Sequence, residues 1–155
     1  MASYFLLFTQ HFDRERGLDY GRLSLNSLSE GTKYIWVATS SVAGKQYPES
    51  FHVRGGLIPP QYRCPELPNY TVMTNPIPLP HVKGVEGNFY KIEPHFVTTD
   101  RGTVRGDFGI HLDGNVPGSL GCIVLESDRF LDFENRMADL RRDSITSLPL
   151  FVQYS

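Results

Sequence analysis

Two side chains able to run nucleophilic catalysis fall within one short stretch, Gly109-Ile-His-Leu-Asp-Gly-Asn-Val-Pro-Gly-Ser-Leu-Gly-Cys-Ile-Val-Leu125. His111 lies in an apolar run, a loop rich in Gly, Asn and Pro follows, and Ser119-Leu-Gly-Cys122 leads into a second apolar run. Strands joined by a short turn-rich loop tend to be neighbours, so this spacing brings His111 beside Cys122. An adjacent imidazolium lowers a thiol pKa from about 8.5 to roughly 3.5–7.5, which sustains a thiolate nucleophile. Gly121 lets a substrate carbonyl approach the backbone, and the N–H groups of Gly121 and Cys122 can face a developing oxyanion. Ser119 is in range to hydrogen-bond His111 or a substrate oxygen. The chemistry on offer is acyl transfer through a thioester. The plainer alternative stays open: a cysteine used as a small buried hydrophobe and a strand histidine that is only hydrogen-bonded.

The other reactive side chains are less organised. Cys64 sits in Tyr62-Arg-Cys-Pro65 with no base beside it in sequence. Two cysteines are too few for a disulfide framework, although one Cys64–Cys122 bridge remains open. His52, His81 and His95 are scattered, with no His-x-His or His-Glu-x-x-His pair, so no metal site is expected. Phosphate-binding and dinucleotide-binding glycine motifs are missing, so no cofactor is expected either.

These residues need elements to hold them. The chain has 155 residues, 40% apolar and 21% charged, with 14 Gly and 11 Pro. That suits one globular domain over residues 1–155, built mostly of strands and loops. Tyr4–Phe8, Arg22–Leu25, Tyr34–Thr39, Tyr70–Met73, Phe89–Ile92, Phe108–Leu112 and Leu120–Leu125 read as strands, and Leu150, Val152 and Tyr154 alternate as a last one. Prolines at alternate positions keep Thr74–Pro80 out of a central strand. Phe130, Phe133, Met137 and Leu140 follow helical spacing after Ser127, which reads as the N-cap, and Arg141-Arg142 suits the helix C-terminus.

Composition also excludes partners. A net charge of −2 argues against nucleic acid. No segment approaches the roughly 20 apolar residues of a membrane helix. The opening Met1–Phe8 lacks a basic region and is followed by His11-Phe-Asp-Arg-Glu-Arg16 rather than a small-residue cleavage site. It reads as a first strand of a protein made in the cytoplasm without a Sec signal.

Ile110-His111 followed by Ser119-Leu-Gly-Cys122-Ile123 resembles the signature of the L,D-transpeptidase (YkuD-like) catalytic domain, a His, a loop, then Ser/Thr-His-Gly-Cys. Gly55-Gly-Leu-Ile-Pro-Pro60 is similar to a Gly-x-Ile-Pro-Pro segment in the smaller branch of that fold, which includes peptidoglycan-targeting secretion effectors and phage-type proteins. The resemblance spans roughly residues 33 to 127. It implies a mostly-β fold, a sandwich or curved sheet with a C-terminal amphipathic helix. It also implies a Cys/His enzyme without cofactors, acting on peptidoglycan stem peptides at the bond after the third, diamino acid residue. Carried over by position, Cys122 is the nucleophile and His111 the base, with Gly121 and Ser119 in support. Leu120 stands where the family has a second His, and Val124 where many members have Arg. Arg105 is the candidate replacement for that substrate-binding Arg, with Asp113 and Asn115 as further substrate contacts. A compact loop favours carboxypeptidase or endopeptidase activity over transpeptidation, at a cell wall reached by delivery or as part of a virion. The rival reading is a non-enzymatic, wall-binding component of a phage tail or contractile injection machine.

Overall fold

Apolar residues at alternate positions commit each strand to one buried face. In the computed structural model, which describes residues 3–12, 19–42, 44–113 and 121–155, they build one curved sheet. β1 (Tyr4–Gln10) buries Leu6 and Phe8, β2 (Gly21–Ser27) buries Leu23 and Leu25, and β3 (Gly31–Ser40) buries Trp36 and Ala38. β4 (Tyr70–Met73), β6 (Gly87–Glu93) and β11 (Ser147–Tyr154) do the same with Tyr70 and Val72, Tyr90 and Ile92, and Leu148, Leu150 and Val152. β9 (Gly109–Leu112) and β10 (Ile123–Leu125) are buried almost throughout.

The strand order is β4-β11-β1-β2-β3-β10-β9-β6, and β4 also pairs with β6, so the sheet closes on itself rather than forming two stacked layers. Closure is narrow at two joints. β10 meets β3 only at Thr39 and Ser40, so β3 runs on past β10 from Gly31 to Ala38. β4 meets β6 through Thr71 and Val72. β5 (Ile77–Leu79) is added outside β6, at the edge of the sheet, where Pro78 can be tolerated. A separate hairpin, β7 (Phe96–Thr98) and β8 (Val104–Gly106), had no signal in the sequence pattern.

The helix α1 (Ser127–Arg142) buries the expected stripe of Phe130, Phe133, Met137 and Leu140 against the sheet. The Phe133 ring meets Trp36 and Tyr90 edge-on at 5.4 and 5.2 Å. The polar ends of those aromatics are satisfied by helix carboxylates: Trp36 Nε1 donates to Asp132 (2.7 Å) and the Tyr90 hydroxyl to Glu134 (2.9 Å). The N-cap is Glu126 rather than Ser127, and no side chain caps the first turn.

Candidate active site

The segment 55–60 backs the site. It joins no strand, and its prolines at 59 and 60 bring no N–H, so its buried carbonyls need side-chain donors. The Arg105 guanidinium donates to Phe51 O (2.8 Å), Gly56 O (2.9 Å) and Leu57 O (3.1 Å). The Tyr154 hydroxyl donates to Ile58 O (2.7 Å) and the Tyr70 hydroxyl to Pro59 O (2.6 Å). Burial holds both phenols well above their usual pKa, so both remain donors. Arg105 is 5% exposed and also faces the Phe108 ring at 5.5 Å.

Gly121 packs against that guanidinium. A Cβ at position 121 would lie 2.7 Å from Arg105 Nη2, and its φ of +96° is in the left-handed region. Its carbonyl accepts from the Ser40 hydroxyl at 3.4 Å, whose oxygen accepts the Ile58 N–H at 3.0 Å. The Gly-Gly-Leu-Ile-Pro-Pro run and the Gly-Cys run are thereby packed back to back.

β9 supplies His111 and β10 is preceded by Cys122. The two strands are neighbours, as the turn-rich connection implies, and they run parallel. Val124 lies beside His111 in register, and Cys122 stands two residues earlier, just before β10 begins. Both side chains line one cleft of about 830 Å³. Phe89, opposite His111 on β6, stacks on the imidazole with ring centres 5.9 Å apart. The same ring occupies the space over Gly109, where a Cβ would sit 2.1 Å from it.

Protonation differs from the sequence expectation. His111 is 4% exposed, and its Nδ1 lies 2.7 Å from Leu112 O. Nδ1 therefore carries the proton and Nε2 the lone pair. Burial lowers the imidazole pKa below its usual 6.5, against a smaller upward pull from the Leu112 carbonyl. The Cys122 thiol is pushed up to about 11, chiefly by burial, and Sγ donates to Asp107 O at 3.5 Å. A standing thiolate beside an imidazolium is thus not the resting state: both groups are neutral at pH 7. Both cysteines are free thiols, with Cys64 in the core, which closes the disulfide alternative.

The remaining assignments separate. Ser119 and Asn115 lie outside the described residues. Asp113 lies just past β9, donates its N–H to Leu125 O (2.7 Å), and is absent from the described cleft lining. Arg105 lines the cleft, and its Nη1 and Nη2 donate to the carbonyls of Phe51, Gly56 and Leu57, so it also holds the wall. Sequence reasoning missed Phe89 and Asp107. The alternation of β6 is the one signal that could have put Phe89 on the face of His111. Asp107 has a φ of +61° and a carbonyl turned to the thiol, which no local pattern announces. Among the described residues, no group of His, Cys, Asp and Glu is arranged to hold a metal ion, and no helix is long and apolar enough to cross a membrane.

No family model matches this chain, and no curated protein or solved structure matches it.

Proposed function

We propose that the protein is a cysteine acyl-transfer enzyme that cuts, and less readily exchanges, peptide bonds of peptidoglycan stem peptides. The observation that carries this reading is that His111, on β9, and Cys122, immediately before the neighbouring β10, line one cleft. In the first step His111 Nε2 takes the thiol proton as Sγ attacks the amide carbonyl. The carbonyl carbon–nitrogen bond then breaks, and the imidazolium returns the proton to the leaving amine. Water attacks the thioester with His111 again as base, which releases the acid and restores the thiol. The peptidoglycan class rests on the motif resemblance. The rival reading, a wall-binding component without activity, draws support from the raised thiol pKa and the hold of Asp107 O on Sγ.

Incubation with purified sacculi and muropeptides tests it. Wild type should release stem-peptide residues, Cys122→Ala should not, and His111→Ala should lose about 10²–10⁴-fold in rate. Unchanged muropeptides together with co-sedimentation on sacculi leave the wall-binding reading in possession.

A further inference from the structure

The cleft has a chemical character beyond its thiol and imidazole. Its lining includes Val82, Val85 and Phe89, and from the β7–β8 hairpin Phe96 and Val104. In the hairpin register Phe96 pairs with Gly106 and Thr98 with Val104, so Phe96 and Val104 share the outward face while Val97 and Arg105 point inward. Phe96 is 58% exposed and Val104 62%. The Phe96 ring lies down over Gly106, where a Cβ would meet it at 2.3 Å, so the glycine lets the ring form the wall. Exposed apolar side chains gathered around a reactive centre gain by being covered.

The charges have one dominant sign. Among the described lining residues Arg54, Lys83, Lys91 and Arg105 are basic, and Asp107 alone is acidic. The Asp107 carboxylate is already engaged by His95 Nε2 at 3.1 Å, and His95 Nδ1 lies 2.7 Å from Lys91 Nζ. Arg105 is tied to carbonyls. Lys91 uses one of its three N–H groups on His95 and keeps its charge, so Arg54, Lys83 and Lys91 are the cations this cleft can offer a ligand, and an ammonium group entering it meets like charge.

From these walls and charges we infer that the cleft takes a small peptide-like acyl donor with an apolar side chain next to the reacting carbonyl and a carboxylate elsewhere on the same molecule, and that it discriminates against an acyl residue ending in a free ammonium. The inference rests on the acyl-transfer reading and narrows its substrate, moving it away from a diamino acid at the acyl position.

Thioesters of N-acetyl-leucine and N-acetyl-lysine with 3-mercaptopropionate, and the same pair with its carboxamide, provide the test. Cys122 attacks the thioester carbonyl, the carbon–sulfur bond of the donor breaks, its proton passes through His111 to the departing thiolate, and water later frees the acid. Released thiol reports the rate, and the intact mass of the protein reports the acyl group on Cys122. The leucine carboxylate donor should react about tenfold faster than the lysine donor, a discrimination within the range apolar pockets reach. Its carboxamide should be several-fold slower. Val104→Asp should narrow the Leu-to-Lys ratio, and Lys83→Glu should remove the preference for the carboxylate; both positions are exposed, so the fold should tolerate them. Equal rates for leucine and lysine donors, with Cys122 acylated by both, overturn the specificity and leave the acyl-transfer reading intact. Failure of every donor to acylate a Cys122 that iodoacetamide still alkylates overturns both.

Discussion

At rest Cys122 holds its proton and His111 Nε2 holds a lone pair, so the proposed acyl transfer would start from two neutral groups. Burial produces both conditions, by penalising the thiolate and the imidazolium alike. Below its pKa a thiol's reactive fraction rises about tenfold per pH unit. Alkylation of Cys122 by iodoacetamide should therefore climb steadily from pH 7 to pH 10, followed by mass spectrometry. A plateau near neutral pH would mean that His111 sustains a thiolate after all. Cys64 is raised similarly but is 1% exposed, so it should label more slowly than Cys122 throughout. The pair itself was legible in the sequence, because two apolar runs around a turn-rich loop imply neighbouring strands. Its ionisation was not, because burial depends on Phe89 and on the rest of the fold. The role of Arg105 was equally hidden: its carbonyl partners lie 48 to 54 residues away in the chain.

At the scale of elements, the site depends on a segment that has no strand partner of its own. Carbonyls 56 to 59 are held by three side chains from β8, β4 and β11, so these strands fix the wall behind Gly121. Tyr70→Phe and Tyr154→Phe each leave a buried carbonyl without its donor and should cost about 1–3 kcal/mol by chemical denaturation. Two glycines with positive φ make a matched comparison. Gly102→Ala, at φ +81° with nothing near its Cβ, should cost about 1–2 kcal/mol for conformation alone. Gly121→Ala adds the encounter with Arg105 and should cost more; equal losses would show that the guanidinium yields. Strong alternation made most strands readable in advance. The β7–β8 hairpin escaped because three-residue strands carry too little pattern, and Pro78 disguised β5, whose place at the edge follows from that same proline.

For the molecule as a whole, two histidines, His111 buried and His52 partly so, tie stability to pH. Burial lowers the pKa of both His111 and His52, the latter helped by Arg101 and Arg63. A histidine whose folded pKa lies below its unfolded value of about 6.5 favours folding above that value, and the contribution fades as pH falls through the folded pKa. Denaturant midpoints should thus drop between pH 7 and pH 5, by up to about 1.4 kcal/mol per pH unit for each histidine. His111→Gln should flatten part of that slope, and an unchanged slope would remove His111 from the account. One further consequence follows from the long overhang of β3. Among the described residues, no strand lies beside it on the β10 side from Gly31 to Ala38, and Ile35 and Val37 are exposed there. Helix α1 grips this stretch through Asp132 on Trp36 and Arg136 on Tyr34. Without α1 over Trp36 and Tyr34, this β-prone stretch would add those rings to the apolar side chains already exposed beside its unpaired edge, the kind of surface on which a strand templates a copy of itself.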